Sequence, residues 1–187
     1  MGYNAQLTKV TPIPSKKAAA GTAIFQPITA ALDQRITIPF LRLKAGAAGG
    51  NLSILQTEGV YRFTQGATAS ANVTVPGIPA GVNGRNAVLR DSSGECKSVT
   101  ISAQTGEVLT LSASIPAQER CLLYLLGTEA SAGTTKYPLT PSASTVLEAA
   151  CPGIITGKEQ GWPIGLFLIN ADGNAEIEGG TIAFIGV

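Results

Sequence analysis

The sequence predicts an all-β protein: a β-sandwich or jelly-roll-like core, a small β-barrel-like unit in its middle, and an extended N-terminal arm. Three features point there. Apolar residues recur mostly at every second position in short runs, and no long amphipathic helical stretch occurs. Glycine (22) and proline (11) cut those runs at short intervals. Hydrophobic residues make up 44% of the 187 positions, enough for a sizeable core, and no apolar run is long enough to cross a bilayer as a helix. The expected organisation is an arm over 1–24 and a β-rich core over 25–187, with 72–127 as a candidate inserted small β unit.

In the arm, Thr11-Pro-Ile-Pro14 is held extended by its two prolines, and Ser15-Lys-Lys-Ala-Ala-Ala-Gly21 adds flexibility or one helical turn. Ala30–Gln34 reads as a short turn behind Pro27. The first strong strand is Arg35–Lys44. Ile36, Ile38 and Phe40 share one face, but Leu41 and Leu43 take the opposite parity, so one extra residue, a β-bulge, is expected near Pro39–Leu41. The glycine-rich segment 45–50 lacks the Gly-Lys-Ser/Thr ending of a phosphate loop and reads as a hairpin loop, leading to a meander of two strands, Asn51–Leu55 and Gly59–Phe63.

Within 72–127, Asn72–Val75 is a short strand and 76–84 an extended loop. Ala87–Arg90 pairs with Lys97–Ile101 across Asp91–Glu95, and Gln104–Glu107 turns the chain into Val108–Ser112. Cys121–Leu126 then closes a small barrel or curled sheet. Residues 128–143 read as a connector, Thr145–Glu148 as a strand and 152–157 as a loop. Ile164–Ile169 is apolar on both faces, as a central strand would be. Asp172-Gly173 is a hairpin signal between it and Ala175–Glu178. The final strand, 181–187, is apolar enough that it must be paired, by the chain itself or by a partner.

Catalytic templates fare poorly. The chain has no histidine, which excludes Ser-His-Asp and Cys-His arrangements and His-based metal sites. Asp91 with Glu95, and Glu176 with Glu178, are the available carboxylate pairs; both read as solvated turn and edge charges. Ser15-Lys16 lies in the arm and is poorly organised as a dyad. Cys96, Cys121 and Cys151 are far apart and read as reduced, buried thiols. No enzymatic role, catalytic residue, metal or cofactor is therefore expected.

Net charge is +1, so nothing in bulk electrostatics suggests nucleic acid. The distribution is uneven. Lys9, Lys16, Lys17, Arg35, Arg42 and Lys44 precede residue 51, and Glu159, Asp172, Glu176 and Glu178 follow residue 150, so the two ends could pair within a chain or between neighbours. Trp162 is read as a plug over the sandwich end in preference to a sugar-stacking platform, and Tyr124 as core. Candidate partner contacts are Lys9, Pro12, Pro14, Lys16, Lys17 and Trp162. The first residues show no charged and apolar leader pattern, so synthesis in the cytosol is expected.

At Arg35-Ile-Thr-Ile-Pro-Phe-Leu-Arg-Leu-Lys-Ala-Gly46 and at Gly165–Phe184 the chain resembles the capsid decoration (cement, head-stabilising) proteins of tailed bacteriophages. The resemblance implies a non-enzymatic viral structural protein on the outer surface of the virion, made in the host cytoplasm. Its partners would be the major capsid protein and copies of itself, a homo-oligomer with a trimer as the usual form, and neither nucleic acid nor membrane. It transfers no catalytic residues. A carbohydrate-binding or adhesive β module of a phage fibre or tail is the alternative.

Overall fold

The computed structural model describes residues 6–19, 23–148, 159–168 and 173–186. Among them there is no helix, and fourteen strands follow in chain order. They are β1 (Gln6–Ile13), β2 (Lys16–Lys17), β3 (Ile24–Ile28), β4 (Gln34–Lys44), β5 (Gly50–Thr64), β6 (Ser70–Thr74) and β7 (Asn86–Arg90). Then come β8 (Cys96–Thr105), β9 (Val108–Ile115), β10 (Arg120–Leu126), β11 (Thr135–Leu139), β12 (Ser144–Glu148), β13 (Ile164–Leu168) and β14 (Glu176–Gly186). The protein is all-β, as the period-2 patterning requires. It divides into two compact units, Met1–Gln56 with Thr134–Val187, and Thr57–Gly133. The middle unit is thus wider than 72–127, because it takes in the second half of β5.

The first unit is a sandwich of two antiparallel sheets. One has the order β1-β14-β4-β12, with β2 also on β14; in the other, β13 lies between β3 and the first half of β5, whose far edge carries β11. Ile36, Leu41, Leu43, Ile177 and Phe184 from the first sheet meet Ile24, Leu52, Ile54, Leu166 and Leu168 from the second in a single buried core. Each such side chain, fully buried, contributes about 1.5–3 kcal/mol. The expected central strand is confirmed: β13 is paired on both edges, and Ile164, Leu166 and Leu168 are fully buried.

The parity change in β4 is a bulge, one residue earlier than a shared face for Phe40 would need. Thr181 and Ala183 of β14 oppose Phe40 and Thr37, so two β4 residues, Ile38 and Pro39, face the single Ile182. Ile36 before it, Ile38 within it, and Leu41 and Leu43 after it all enter the core, while Phe40 turns outward and is 38% exposed. A second bulge places Glu178 of β14 between the pairs Ile177–Leu43 and Gly179–Arg42. Gly180 next to it is sterically required, since a Cβ there would lie 2.6 Å from the Phe40 carbonyl oxygen.

Several expectations are corrected. Residues 45–50 turn between the two sheets and form no β4–β5 hairpin, since β4 and β5 are in different sheets. The expected meander over 51–63 is one strand, β5. It crosses Gly59 by a bulge at Glu58, where Thr57 and Gly59 oppose consecutive residues of β10. The connector 128–143 contains β11, an edge strand, which suits Pro138. Residues 175–187 are likewise one strand through residue 186, not two. The loop at 152–157 and the Asn170–Asp172 part of the hairpin signal lie outside the described residues; β13 and β14, on either side of the latter, are not paired with each other.

The second unit has the strand order β5-β10-β7-β8-β9-β6. The β7–β8 hairpin and the Gly106 turn into β9 match the sequence reading. Phe63, Val73, Leu89, Ile101, Leu109 and Leu123, one from each strand, share one core, so the sheet curls on itself like a small barrel. The seam between β5 and β6 is bridged by Gln65, which is 7% exposed. Its Nε2 donates to the carbonyls of Ser70 (2.9 Å) and Asn72 (3.2 Å), and its Oε1 accepts from Gly66 N–H (2.9 Å). The proline-rich loop after β6 buries Ile78 and Val82 in the same core and is tied down by Gln104, which accepts from Val82 N–H and donates to the Pro79 carbonyl.

Candidate functional site

The N-terminal segment is extended, as its prolines dictate, but it does not stand free. β1 pairs with β14 from Gln6–Gly186 to Ile13–Gly180, and β2 sets Lys17 opposite Glu176 and Lys16 opposite Ile177. Ile13 is buried in the sandwich core. Lys9, Pro12, Pro14, Lys16 and Lys17 are exposed along this edge, and Lys16 Nζ donates to the Phe25 carbonyl at 2.9 Å. Trp162 lies elsewhere. It is half-buried and outside the core cluster, in a turn whose Gly161 N–H donates to the Gln34 carbonyl at 2.7 Å. The structure therefore gathers the proline and lysine candidates on one sheet edge and leaves Trp162 apart from them. Tyr124 is buried, as read from the sequence.

The outer face of the β1-β14-β4-β12 sheet is the more informative surface. Phe40 and Val146 each flank a core residue on their strand, and Val10 shares the strand face of Pro12, which flanks buried Ile13, so all three point away from the core; they are 55% (Val10), 38% (Phe40) and 44% (Val146) exposed. Pro12, Thr181, Phe40 and Glu148 form one cross-strand row, with Val10 and Ala183 paired in a parallel row nearby. Beside the rows, Arg42 Nε donates to Glu178 Oε2 at 3.0 Å and Ser144 Oγ to Glu178 Oε1 at 3.1 Å. The second bulge brings Glu178 here, so part of the charge asymmetry between the chain ends pairs within the chain.

Asp91, a member of one carboxylate pair, and Glu119 are committed to turn contacts. Asp91 accepts from Ser93 N–H, Ser93 Oγ and Glu95 N–H at 2.9, 2.6 and 2.9 Å. The Ser93 hydroxyl, ahead of the two backbone bonds, holds its pKa below the usual value. Glu119 accepts from Ser92 Oγ and N–H at 2.6 and 3.0 Å and is lowered in the same way. Among the described residues no cluster of His, Cys, Asp and Glu is placed to hold a metal. Cys96 and Cys121 are free thiols, and burial first, then Glu119 and Asp91, pushes the Cys121 thiol up to about 11. Cys151 lies outside the described residues.

A cleft of about 530 Å³ opens on the outer face of the second unit, lined by Arg62 of β5, Arg90 of β7 and Arg120 and Leu122 of β10, with Thr64, Asp91 and Ser92 among the remaining lining residues. Arg62 and Arg90 both stand opposite Leu122, and Arg120 stands opposite Thr64. Arg90 is only 5% exposed, held by Nη1 to Tyr124 Oη (3.1 Å) and Nε to Cys96 Sγ (3.3 Å) over the Tyr124 ring. In the sequence each arginine sits beside a core position, in a different strand and without a shared motif. Only the β5-β10-β7 order, which periodicity does not encode, brings them together.

No family model matches the chain, and no curated protein matches it. Among solved structures, the crystal structure of the infectious bursal disease virus VP2 subviral particle aligns at 12% identity and a TM-score of 0.14, over 96% of this chain. The chain spans 41% of the length of that protein, and a likeness at this level carries no argument about fold or function.

Proposed function

We propose that the protein is a structural, non-enzymatic virion component: a decoration or cement protein that sits on the outside of a phage head and stabilises contacts between major capsid subunits. The observation that carries this reading is the outward apolar surface of Val10, Phe40 and Val146 across the β1-β14-β4-β12 sheet. Solvent-facing sheet positions are normally polar, and apolar side chains gathered on one face mark contact surfaces. The two stretches that resemble decoration proteins support it too, since they supply β4, β13 and β14 of the same sandwich. Pro12 shares the Phe40 row and joins the proposed contact face, whereas the lysines line its edge.

The test is co-sedimentation of the full chain with heads that lack it, together with its mass in solution. Recovery at fixed stoichiometry, weakened about tenfold by Phe40→Ser with Val146→Ser, is the expected result. Both side chains are partly exposed, so circular dichroism should show the parent fold in that variant. A strict monomer that ignores the heads would overturn the proposal.

A further inference from the structure

The geometry points to a second binding site: the arginine-lined cleft of the Thr57–Gly133 unit takes an extended acidic peptide segment, its carboxylates held by Arg62 and Arg120 beside the fixed guanidinium of Arg90. This site is independent of where the protein assembles. Because Arg62 and Arg90 both oppose Leu122, Arg120 is the diagonal cross-strand neighbour of each, at about 7–8 Å between backbones. Alternate residues of an extended peptide place side chains on one face about 6.8 Å apart, a matching repeat. Guanidinium groups pair with carboxylates through two parallel hydrogen bonds, so spacing and orientation are read together.

The neighbouring acids leave Arg62 and Arg120 available. Asp91 is bonded into its own turn and Glu119 to Ser92, and the ion pairs Arg42–Glu178, Arg85–Glu58 and Lys97–Glu95 use neither Arg62 nor Arg120. Like charges gathered around one cleft repel, and an anion relieves that repulsion. The backbone of β10 is paired on both edges, so recognition must run through side chains. The lining has no aromatic side chain on which a base or a sugar ring could stack, which favours a peptide over single-stranded nucleic acid or an acidic polysaccharide.

The experiment is fluorescence anisotropy of a short labelled peptide of alternating Asp and Ser, titrated with the full chain at low salt. Saturable binding that weakens as salt rises is expected. Arg62→Gln and Arg120→Gln should each weaken it about tenfold, with Arg42→Gln and Lys97→Gln unchanged and all four variants melting like the parent. Absence of saturable binding, parent-like binding by the Arg62→Gln/Arg120→Gln double variant, or equal loss in Arg42→Gln would overturn the assignment. So would tighter binding of oligothymidylate or polygalacturonate than of the peptide.

Discussion

Gln65 closes the seam of the second unit, and replacing it tests whether that closure is energetic or incidental. Gln65→Leu keeps a side chain of similar length but removes three hydrogen bonds, to Ser70, Asn72 and Gly66. A buried bond lost with its partner stranded costs about 1–3 kcal/mol. Here Ser70 is only half-buried and Asn72 and Gly66 are exposed, so water can reach the groups left behind and the lower end applies. The Gly66 bond joins adjacent residues and survives the opening of β6, so the two bonds that reach β6 set the effect: about 2 kcal/mol, or about thirtyfold in its opening equilibrium at 1.4 kcal/mol per factor of ten. Amide hydrogen exchange read by mass spectrometry, peptide by peptide, is the appropriate assay, because it separates local opening of β6 from unfolding of the whole chain. Peptides covering 70–75 should exchange about thirtyfold faster in the variant. Those covering β13 should be unchanged. Parent-like exchange at 70–75 would mean that β6 is held by β9 alone and that the seam bonds contribute nothing.

Three further outcomes follow from the same contacts. Gly180→Ala puts a Cβ 2.6 Å from the Phe40 carbonyl oxygen and 3.0 Å from Leu41 Cδ1, so β4 must move. We expect about 1–3 kcal/mol of destabilisation in denaturant unfolding. Gly133→Ala, which meets nothing within 4 Å, should be silent. Asp91 and Glu119 have folded-state pKa values lowered from 3.8 and 4.5, chiefly by Ser93 and Ser92. Their stabilisation is therefore present above those values and lost as pH falls through the lower folded ones. A Ser92→Ala/Ser93→Ala variant should show a shallower acid-side fall in melting temperature than the parent. With its pKa near 11, Cys121 is thiolate only to about one part in a thousand at pH 8, so alkylation mapped by mass spectrometry should leave it unlabelled in the folded chain. Rapid labelling would show that the Cys121 site opens.

Local patterning carried the strands and one of the irregularities. The parity switch from Ile36 and Ile38 to Leu41 and Leu43 demands an extra residue in β4, and the bulge is there. Its position is off by one because Phe40 looks like core by composition; only the partner strand shows that Ile38 and Pro39 share Ile182. Glycine misled the reading elsewhere. Gly59 and Gly179–Gly180 look like strand breaks, yet each marks a bulge or close approach inside a continuous strand, the conformations glycine permits most cheaply. What period-2 patterning cannot encode is which strands become neighbours. The lining of the arginine cleft and the outer apolar rows both depend on that order, so neither was visible in the sequence.

Strand order also changes what the chain ends mean. A basic beginning and an acidic end could, in isolation, pair within a chain or between neighbours. In the fold part of that charge meets within the chain. Lys17 and Lys44 stand on opposite sides of Glu176, and Arg42 reaches Glu178. Exposed pairs of this kind contribute little stability, about 0–1 kcal/mol each. The apolar terminal strand that had to be covered is covered by β1 and β4. Removing residues 1–17 would therefore expose one edge of β14 and uncover the core beside Ile13, so loss of capsid occupancy in such a truncation would report on folding and not on docking. Substitutions at Val10, Phe40 and Val146, which point away from the core, separate the two.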